Sequence, residues 1–132
     1  MDSLEIGKVI ATYLTGNEEL NAIINNKVYP IVADQGTTYP FVVYKRGSLQ
    51  TASSKDRYNY SEIADVEMVV ASKSYRQSVE IATKIRDVLD QKRGVLDDIN
   101  INEIRLENAY EDYMSDTDVF VQYLTFRIEI IK

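Results

Sequence analysis

The first part of the chain carries apolar residues at helical spacing. Positions three and four apart fall on one helical face, and here they are Ile6, Val9, Ile10, Tyr13 and Leu14. Asp2 and Glu5 have the spacing of a capping box, so we expect a first helix that ends near Gly16. Asn17 can cap a second short helix, which ends at Asn25 and Asn26 and buries Leu20, Ile23 and Ile24.

Both prolines of the chain follow a tyrosine, in the segment VYPIVADQGTTYPFVVYKR. The residue before a proline is forced out of the helical region, so Tyr29 and Tyr39 should be extended. We therefore expect an extended piece over residues 27–32 and a turn at residues 34–36. Pro40 should open a strand that runs to about Leu49, because a proline is tolerated at the first position of a strand.

Alternating apolar positions predict three further strands. Residues 63–71 form one strand with Ala64, Val66 and Met68 on its inward face, and residues 99–109 form another. Residues 119–131 form the last, whose inward face comprises Phe120, Leu124, Phe126, Ile128 and Ile130. Residues 47–61 are polar and rich in small side chains, which indicates a long hairpin tip or a mobile loop.

One long helix is expected between these strands. Ser74 and Gln77 form a capping box at its start, Lys92 and Arg93 lie in its last turn, and Gly94 stops it. Its apolar stripe comprises Tyr75, Val79, Ala82, Ile85 and Leu89, flanked by Ile81 and Val88.

The order of these elements predicts an α+β fold. We expect one domain over residues 1–132, with a mainly antiparallel sheet of about four to five strands and two main helices packed on one face. No apolar run approaches the roughly 20 residues needed to cross a bilayer, and no signal peptide is evident. We therefore expect a soluble, intracellular protein that has no membrane partner.

The amino-acid composition limits the kinds of covalent, catalytic and metal sites that the chain can form. The 132 residues contain no cysteine and no histidine, which excludes disulfides, thiolate nucleophiles and histidine-based triads or zinc sites. The net charge is −6, and residues 97–118 hold eight acids against one base, Arg105. An acidic stretch of this kind repels phosphates instead of binding them, so we expect no sequence-specific binding of nucleic acid there. A solvated hairpin kept soluble by its acids is the plainest interpretation.

Two features remain as candidate sites. Asp65 and Glu67 share one strand face and could hold Mg²⁺ in a nuclease-like enzyme, although charges on a half-exposed strand are ordinary. Tyrosine is enriched at protein interfaces, and we single out Tyr58 and Tyr60 beside Arg57, and Tyr110 and Tyr113 beside the acidic turn. As a group these tyrosines favour an interaction protein.

A series of short motifs carries a resemblance. VYP, an alanine and QG, YPFVVY, ASKSY, IATKIRDVLD, ENAYEDY and FRIEI follow one another between residues 17 and 130. Their order resembles the tail-component family of long-tailed phages and prophages, which includes tail terminators, also called tail completion or head-tail joining proteins. The chain departs from that family in the acidic turn, where MSDTD replaces the more common proline or glycine.

This resemblance implies a structural protein without catalysis or cofactors. It implies a homo-oligomeric, hexameric ring that caps the tail tube protein, ends its polymerisation and offers the surface to which the head-completion or connector protein attaches. The protein would occupy the host cytoplasm during assembly and then the virion tail. In that setting residues 47–61 contact a neighbouring copy or a tube subunit, and Glu107, Glu111, Asp112 and Asp116 either line the lumen or face water. A metal-dependent nuclease-like enzyme and a generic α+β protein-binding module remain open as alternatives.

Overall fold

The chain folds around one mixed sheet in a computed structural model that describes residues 2–52 and 61–131. In chain order the elements are a 3₁₀ turn (Ser3–Glu5), α1 (Ile6–Thr15), α2 (Glu18–Ile24), β1 (Val28–Pro30), β2 (Phe41–Ala52), β3 (Ser61–Ser72), α3 (Tyr75–Leu89), β4 (Gly94–Leu96), β5 (Ile99–Met114) and β6 (Val119–Ile131). The strand order is β1-β2-β3-β6-β5-β4. β1 pairs with β2 in parallel, and every other neighbouring pair is antiparallel.

The predicted α+β class is confirmed, but the predicted strand number is too low. The sheet of the described residues has six strands rather than four to five. β1 and β4, the two outermost strands, are three residues long. A strand of that length has no room for an alternating pattern, so periodicity does not reveal it. The parallel pairing of β1 with β2 was not predicted either.

The helices cover one face of the sheet, which we call the helix face. Val42 on β2, Met68 on β3 and Phe126 on β6 are fully buried there against α1 and α3. Ala64, Val66, Leu124, Ile128 and Ile130 are buried on the same face, as their alternation predicts. Phe120 also lies on this face but is only half-buried, because it sits beyond the main core near the hairpin end.

α1 ends where the sequence predicts, and α2 begins and ends there, but the residues after Asp2 form a 3₁₀ turn (Ser3–Glu5) and α1 itself begins at Ile6. Thr15 is the last residue of α1 and Gly16 is its C-cap. The Asn17 side chain accepts a hydrogen bond from the Leu20 amide at 2.9 Å, which caps α2. α2 then ends at Asn25, whose left-handed backbone (φ 50°) closes the helix.

The start of α3 is confirmed, but its predicted stop at Gly94 is wrong. Ser74 Oγ accepts a hydrogen bond from the Gln77 amide at 3.3 Å. The helix ends at Leu89, because Asp90 is extended and its Oδ1 accepts a hydrogen bond from the Leu106 amide of β5 at 2.8 Å. Gly94 has a positive φ of 111°, but it opens β4 instead of ending α3. Lys92 and Arg93 accordingly lie in the linker after the helix.

The buried stripe of α3 is rotated from the predicted one. Ile81, Ala82, Ile85 and Leu89 are buried, but Tyr75 and Val79 are exposed and Ser78 is buried in their place. Ser78 is satisfied locally, because its Oγ donates to the Tyr75 carbonyl at 2.7 Å and accepts from Gln122 Nε2 at 3.3 Å. A polar residue therefore occupies the seam between α3 and β6, which an apolar pattern does not anticipate.

Residues 31–40 fold over part of the opposite, helix-free face, which we call the open face. The expected turn is present: the Thr37 amide donates to the Asp34 carbonyl at 3.1 Å, and Gly36 has a φ of 82°. Lys27 Nζ donates to the Thr38 carbonyl at 3.0 Å, and Tyr29 OH lies 2.7 Å from the Thr37 hydroxyl. These bonds hold the segment beside a small second core of Ala71, Val119 and Val121, against which Phe41, Val69 and Tyr123 pack.

The strands β2, β3 and β5 are longer than predicted. Residues 47–52, expected in a loop, belong to β2, and Ser61 belongs to β3; the rest of the predicted loop lies outside the described residues. β5 runs on to Met114, so the acidic hairpin has a turn of only residues 115–118. In the described part of the chain, no helix is long and apolar enough to span a membrane.

Candidate assembly surfaces

The hairpin of β5 and β6 extends beyond the helices as an arm (residues 107–120). All of residues 107–118 are exposed. On the helix face of the arm the Tyr113 ring lies 4.9 Å from the Phe120 ring, and the Tyr75 ring of α3 lies 5.7 Å from Phe120 on an edge. Tyr113 OH also donates to Asp118 Oδ1 at 2.5 Å, and this hydrogen bond raises the pKa of Tyr113. The arm thus carries its own small aromatic cluster.

A second set of hydrogen bonds ties the arm to α3. Tyr75 OH donates to both carboxylate oxygens of Glu111, at 3.0 and 3.1 Å, and Gln122 Nε2 donates to Glu111 Oε2 at 3.0 Å. The bond to Glu111, together with its negative charge, raises the pKa of Tyr75 above the ordinary 10.0, because the carboxylate favours the protonated phenol. Glu111 therefore holds the arm to the body of the protein.

On the open face, Tyr110 of the arm stacks on Tyr123 of β6, which lies just beyond the arm. The rings of Tyr110 and Tyr123 lie 4.5 Å apart with an interplanar angle of 12°. Burial raises the pKa of Tyr123, and the neighbouring Tyr110 and Asp112 raise it further. The stack forms one wall of a groove of about 490 Å³ across the open face, whose other lining residues include Ile31, Val43, Lys45, Glu67, Val69 and Thr125.

The structure places the predicted interface tyrosines on different surfaces. Tyr110 is 57% exposed and lies on the open face, while Tyr113 is 46% exposed and lies on the helix face. Side chains alternate between the two faces of a strand, so residues an odd number of positions apart lie on opposite faces. Tyr110 and Tyr113 are three positions apart and therefore lie on opposite faces. Arg57, Tyr58 and Tyr60 lie outside the described residues, and their interface role stays a prediction.

The four predicted lumen acids are also divided between surfaces. Glu111 faces α3, and Asp112 is on the open face. Glu107 lies at a register shift in β5, and Asp116 lies in the turn at the tip. The arm is therefore acidic all round rather than along one face.

Asp65 and Glu67 each lie close to a polar or charged partner. Asp65 Oδ2 accepts a hydrogen bond from Ser48 Oγ at 3.1 Å and is opposite Arg127 in the β3–β6 register. Glu67 is 3.9 Å from Lys45 Nζ across the β2–β3 pair. Within residues 2–52 and 61–131, no three carboxylates, histidines or cysteines are grouped so as to hold a metal ion.

Sequence reasoning missed the partners that support the arm. Tyr75 was expected in the apolar stripe of α3 and not as a hydrogen-bond partner, Gln122 was not singled out, and Phe120 and Tyr123 were not identified as members of ring pairs. A signal was present in the last strand, where Phe120, Gln122 and Tyr123 stand among apolar residues. Only the pairing register shows that they meet Tyr113, Glu111 and Tyr110 of β5.

Two comparisons with known proteins match most of the chain. A family model described as "Tail completion protein gp17" matches residues 8–130. A chain of the solved virion of a native gene transfer agent (GTA) particle has a TM-score of 0.74 and 17% sequence identity, over 93% of this chain and 92% of that one. At this identity the structural likeness shows a shared fold. No curated protein matches the chain in sequence.

Proposed function

Since the chain belongs to the tail completion protein gp17 family, whose model matches residues 8–130, we propose that it completes the tail of a phage or prophage virion. Copies of the protein assemble as a homo-oligomeric, hexameric ring on the last ring of the tail tube. The ring ends tube polymerisation and offers the surface for the head-completion or connector protein. The protein acts by binding and needs no catalytic group; it works in the host cytoplasm and stays in the virion tail.

The family match carries this proposal, and the similarity of the fold to a chain of a virion particle supports it. The form of the arm is consistent with an assembly role. Glu111 anchors the arm on the helix face, and the Tyr110–Tyr123 stack stiffens it on the open face. A projecting element that is held on both faces loses little conformational entropy when it docks on another subunit.

The acidity of the arm suits a ring through which DNA passes. Asp112 lies on one face, Glu111 on the other and Asp116 at the tip, so each surface of the arm presents a carboxylate. Carboxylates repel phosphates instead of binding them. We therefore expect lumen-facing acids of the arm to keep passing DNA from adhering. Particles that carry Asp116→Lys, in the turn at the tip of the arm, should assemble but eject DNA poorly, and normal DNA delivery by them would refute the lumen role.

A tube-capping experiment tests the proposed function. Tail tubes are polymerised from the tube protein encoded with this chain, and purified chain is added in excess during elongation. We expect growth to stop, and electron microscopy should show a ring at one end of each tube. Tubes that continue to lengthen in the presence of excess chain would refute the proposal.

A matched variant separates this function from a metal-dependent one. Asp65→Ala with Glu67→Ala should cap tubes as well as the natural chain does, because neither carboxylate has a role in capping. The nuclease-like alternative predicts Mg²⁺-dependent DNA cleavage by the natural chain and its loss in this variant.

Light scattering over a concentration series then shows whether the ring forms in solution or only on a tube end.

A further inference from the structure

At each edge of the sheet, part of a long strand has no described strand paired beside it. β1 pairs with β2 only as far as Tyr44, which leaves the β2 outer segment (residues 45–52) without a strand beside it among the described residues. On the far side, β4 pairs with β5 only from Ile99 to Ile101. The linker after α3 then covers β5 up to Leu106. The Gln91 amide donates to the Ile104 carbonyl, and the Ile104 amide donates to the Lys92 carbonyl. The Leu106 amide donates to Asp90 Oδ1.

The β5 outer segment (residues 107–114) is the uncovered remainder of that side. It pairs with β6 on its inner side, and every one of its residues is exposed. A row of unpaired amides and carbonyls readily accepts another strand, unless a proline or a cover blocks it. Neither outer segment contains a proline. The sheet therefore has two edges, on its opposite sides, that no described strand occupies; within them the Tyr113 amide donates to Asp112 Oδ1 at 2.7 Å and the Gly47 carbonyl accepts from Arg46 Nη1 at 3.4 Å.

The charges of the two segments are opposite. The β2 outer segment contains Lys45 and Arg46 and no acid, whereas the β5 outer segment contains Glu107, Glu111 and Asp112 and no base. Two β5 outer segments side by side would place acid against acid, and like charges on opposed strands are destabilising. A β5 outer segment beside a β2 outer segment places acid against base. The charges thus disfavour a two-fold dimer through β5 and favour a head-to-tail contact.

Strand direction agrees with such a contact. The successive pairs β2–β3, β3–β6 and β6–β5 are antiparallel, so β2 and β5 run in opposite directions. Copies that keep the same strand orientation would therefore bring β5 of one beside β2 of the next as an antiparallel pair.

The register fixes how the copies are offset. Leu49 lies level with Ile104 across the sheet, whereas Tyr110 lies level with Val43. Lys45 is itself level with Asn108, so a shift of about four residues, or roughly 13 Å at about 3.3 Å per residue, brings Lys45 beside Asp112 and Arg46 beside Glu111 of the next copy. A repeated stagger tilts the strands relative to the ring axis, as it does in a closed barrel.

We propose that the β5 outer segment of one copy pairs, antiparallel, with the β2 outer segment of the next copy, and that this edge contact joins the subunits. The contact uses one surface on each of two opposite sides, so it is heterologous and closes into a ring when its rotation divides a full turn. It rests on the proposed ring function, since it names the partner and the residues of the ring contact. The occupant of each edge is a second copy of this chain.

Cysteine scanning tests the contact directly, because the natural chain has no cysteine. One chain carries Gln50→Cys, at a position on the open face opposite Ile63. A second carries a single cysteine, moved one position at a time through residues 108–113. In a continuous intersubunit sheet, cysteines at 108, 110 and 112 share the open face and should cross-link to the cysteine at position 50 under mild oxidation. Cysteines at 109, 111 and 113 lie on the other face and should not.

This alternation is the matched control, since all six scanned positions are exposed. The mixture is oxidised both free in solution and on tube ends. Cross-linking at the even positions in either setting supports the proposal. Equal cross-linking at odd and even positions, no cross-linking in both settings, or cross-linking of these cysteines to the tube protein alone would overturn it.

A charge exchange gives an independent test. The variant with Glu107→Lys and Asp112→Lys should lose ring formation and capping, as should the variant with Lys45→Glu and Arg46→Glu. Mixed in equal amounts, the two should assemble again, because each acidic segment then meets a basic one in an alternating hexamer. If each variant assembles alone, or the mixture fails to recover, the edge contact is wrong.

The two proposals fail in different ways. If the natural chain caps tubes while the edge variants behave as it does, the proposed function stands and the contact is elsewhere. If the natural chain neither forms rings nor caps tubes, the proposed function fails whatever the cysteine scan shows.

Discussion

The stacking of Tyr110 on Tyr123 should contribute measurably to the free energy of unfolding of the protein. Tyr110 is 57% exposed, so it buries about two-fifths of a tyrosine side chain, or roughly 80 Å² of about 200 Å². At about 25 cal/mol per Å² this burial is worth at most about 2 kcal/mol. Stacking adds about 0.5–1.5 kcal/mol beyond the area, and partial exposure favours the lower half of that range.

A double-mutant cycle isolates the stack from the rest. Urea unfolding is measured for the natural chain, Tyr110→Ala, Tyr123→Ala and the double variant, with a common m value. We expect each single substitution to lower the free energy of unfolding by about 1–2 kcal/mol. The double variant should lose less than the sum of the two, by a coupling of about 1 kcal/mol.

Tyr113 supplies the matched control, because it lies in the same strand but on the other face. Its ring contacts Phe120, not Tyr123. The cycle of Tyr113→Ala with Tyr123→Ala should therefore be additive within about 0.5 kcal/mol. Equal coupling of Tyr123 to both tyrosines, or none to Tyr110, would show that the stack does not stabilise the arm.

Three further predictions concern the core, a helix cap and alkaline pH. Phe126→Ala empties a fully buried site and should lower the free energy of unfolding by about 3–5 kcal/mol in urea titrations, whereas Ile131→Ala, at a side chain that is 41% exposed, should cost much less. Ser74→Ala removes the N-cap of α3 and should cost about 1 kcal/mol; an unchanged urea midpoint would contradict the cap. The hydrogen bond to Glu111 raises the pKa of Tyr75 in the folded state, so its contribution to stability is complete below pH 10 and is lost as the pH rises through the raised pKa. Tyr75→Phe should therefore flatten the alkaline fall in stability, and the tyrosinate absorbance of the natural chain should show a late-titrating tyrosine that this variant lacks.

The assembly surfaces were only partly predictable from the sequence. Tyr110, Tyr113 and the acids of the arm were identified by composition, because polar and aromatic residues in a predicted hairpin are exposed in any arrangement. Which face each of them occupies was not predicted. It depends on how far β5 extends and on the register shifts near Glu103 and Asn108, which follow from pairing with β6. For the same reason the bonds of Tyr75 and Gln122 to Glu111 had no local signal.

The sequence by itself determined the local elements of this protein. The caps at Asn17 and Ser74 and the inward face of β6 depend on neighbours a few positions away, so a short window of residues specifies them. The tertiary structure alone decided where α3 stops, because Asp90 leaves the helix to accept a bond from β5, sixteen positions further on. It also decided that β1 and β4 join the sheet and which edges remain open. Those features depend on backbone groups that find partners far along the chain, and a pattern of side chains does not encode such partners.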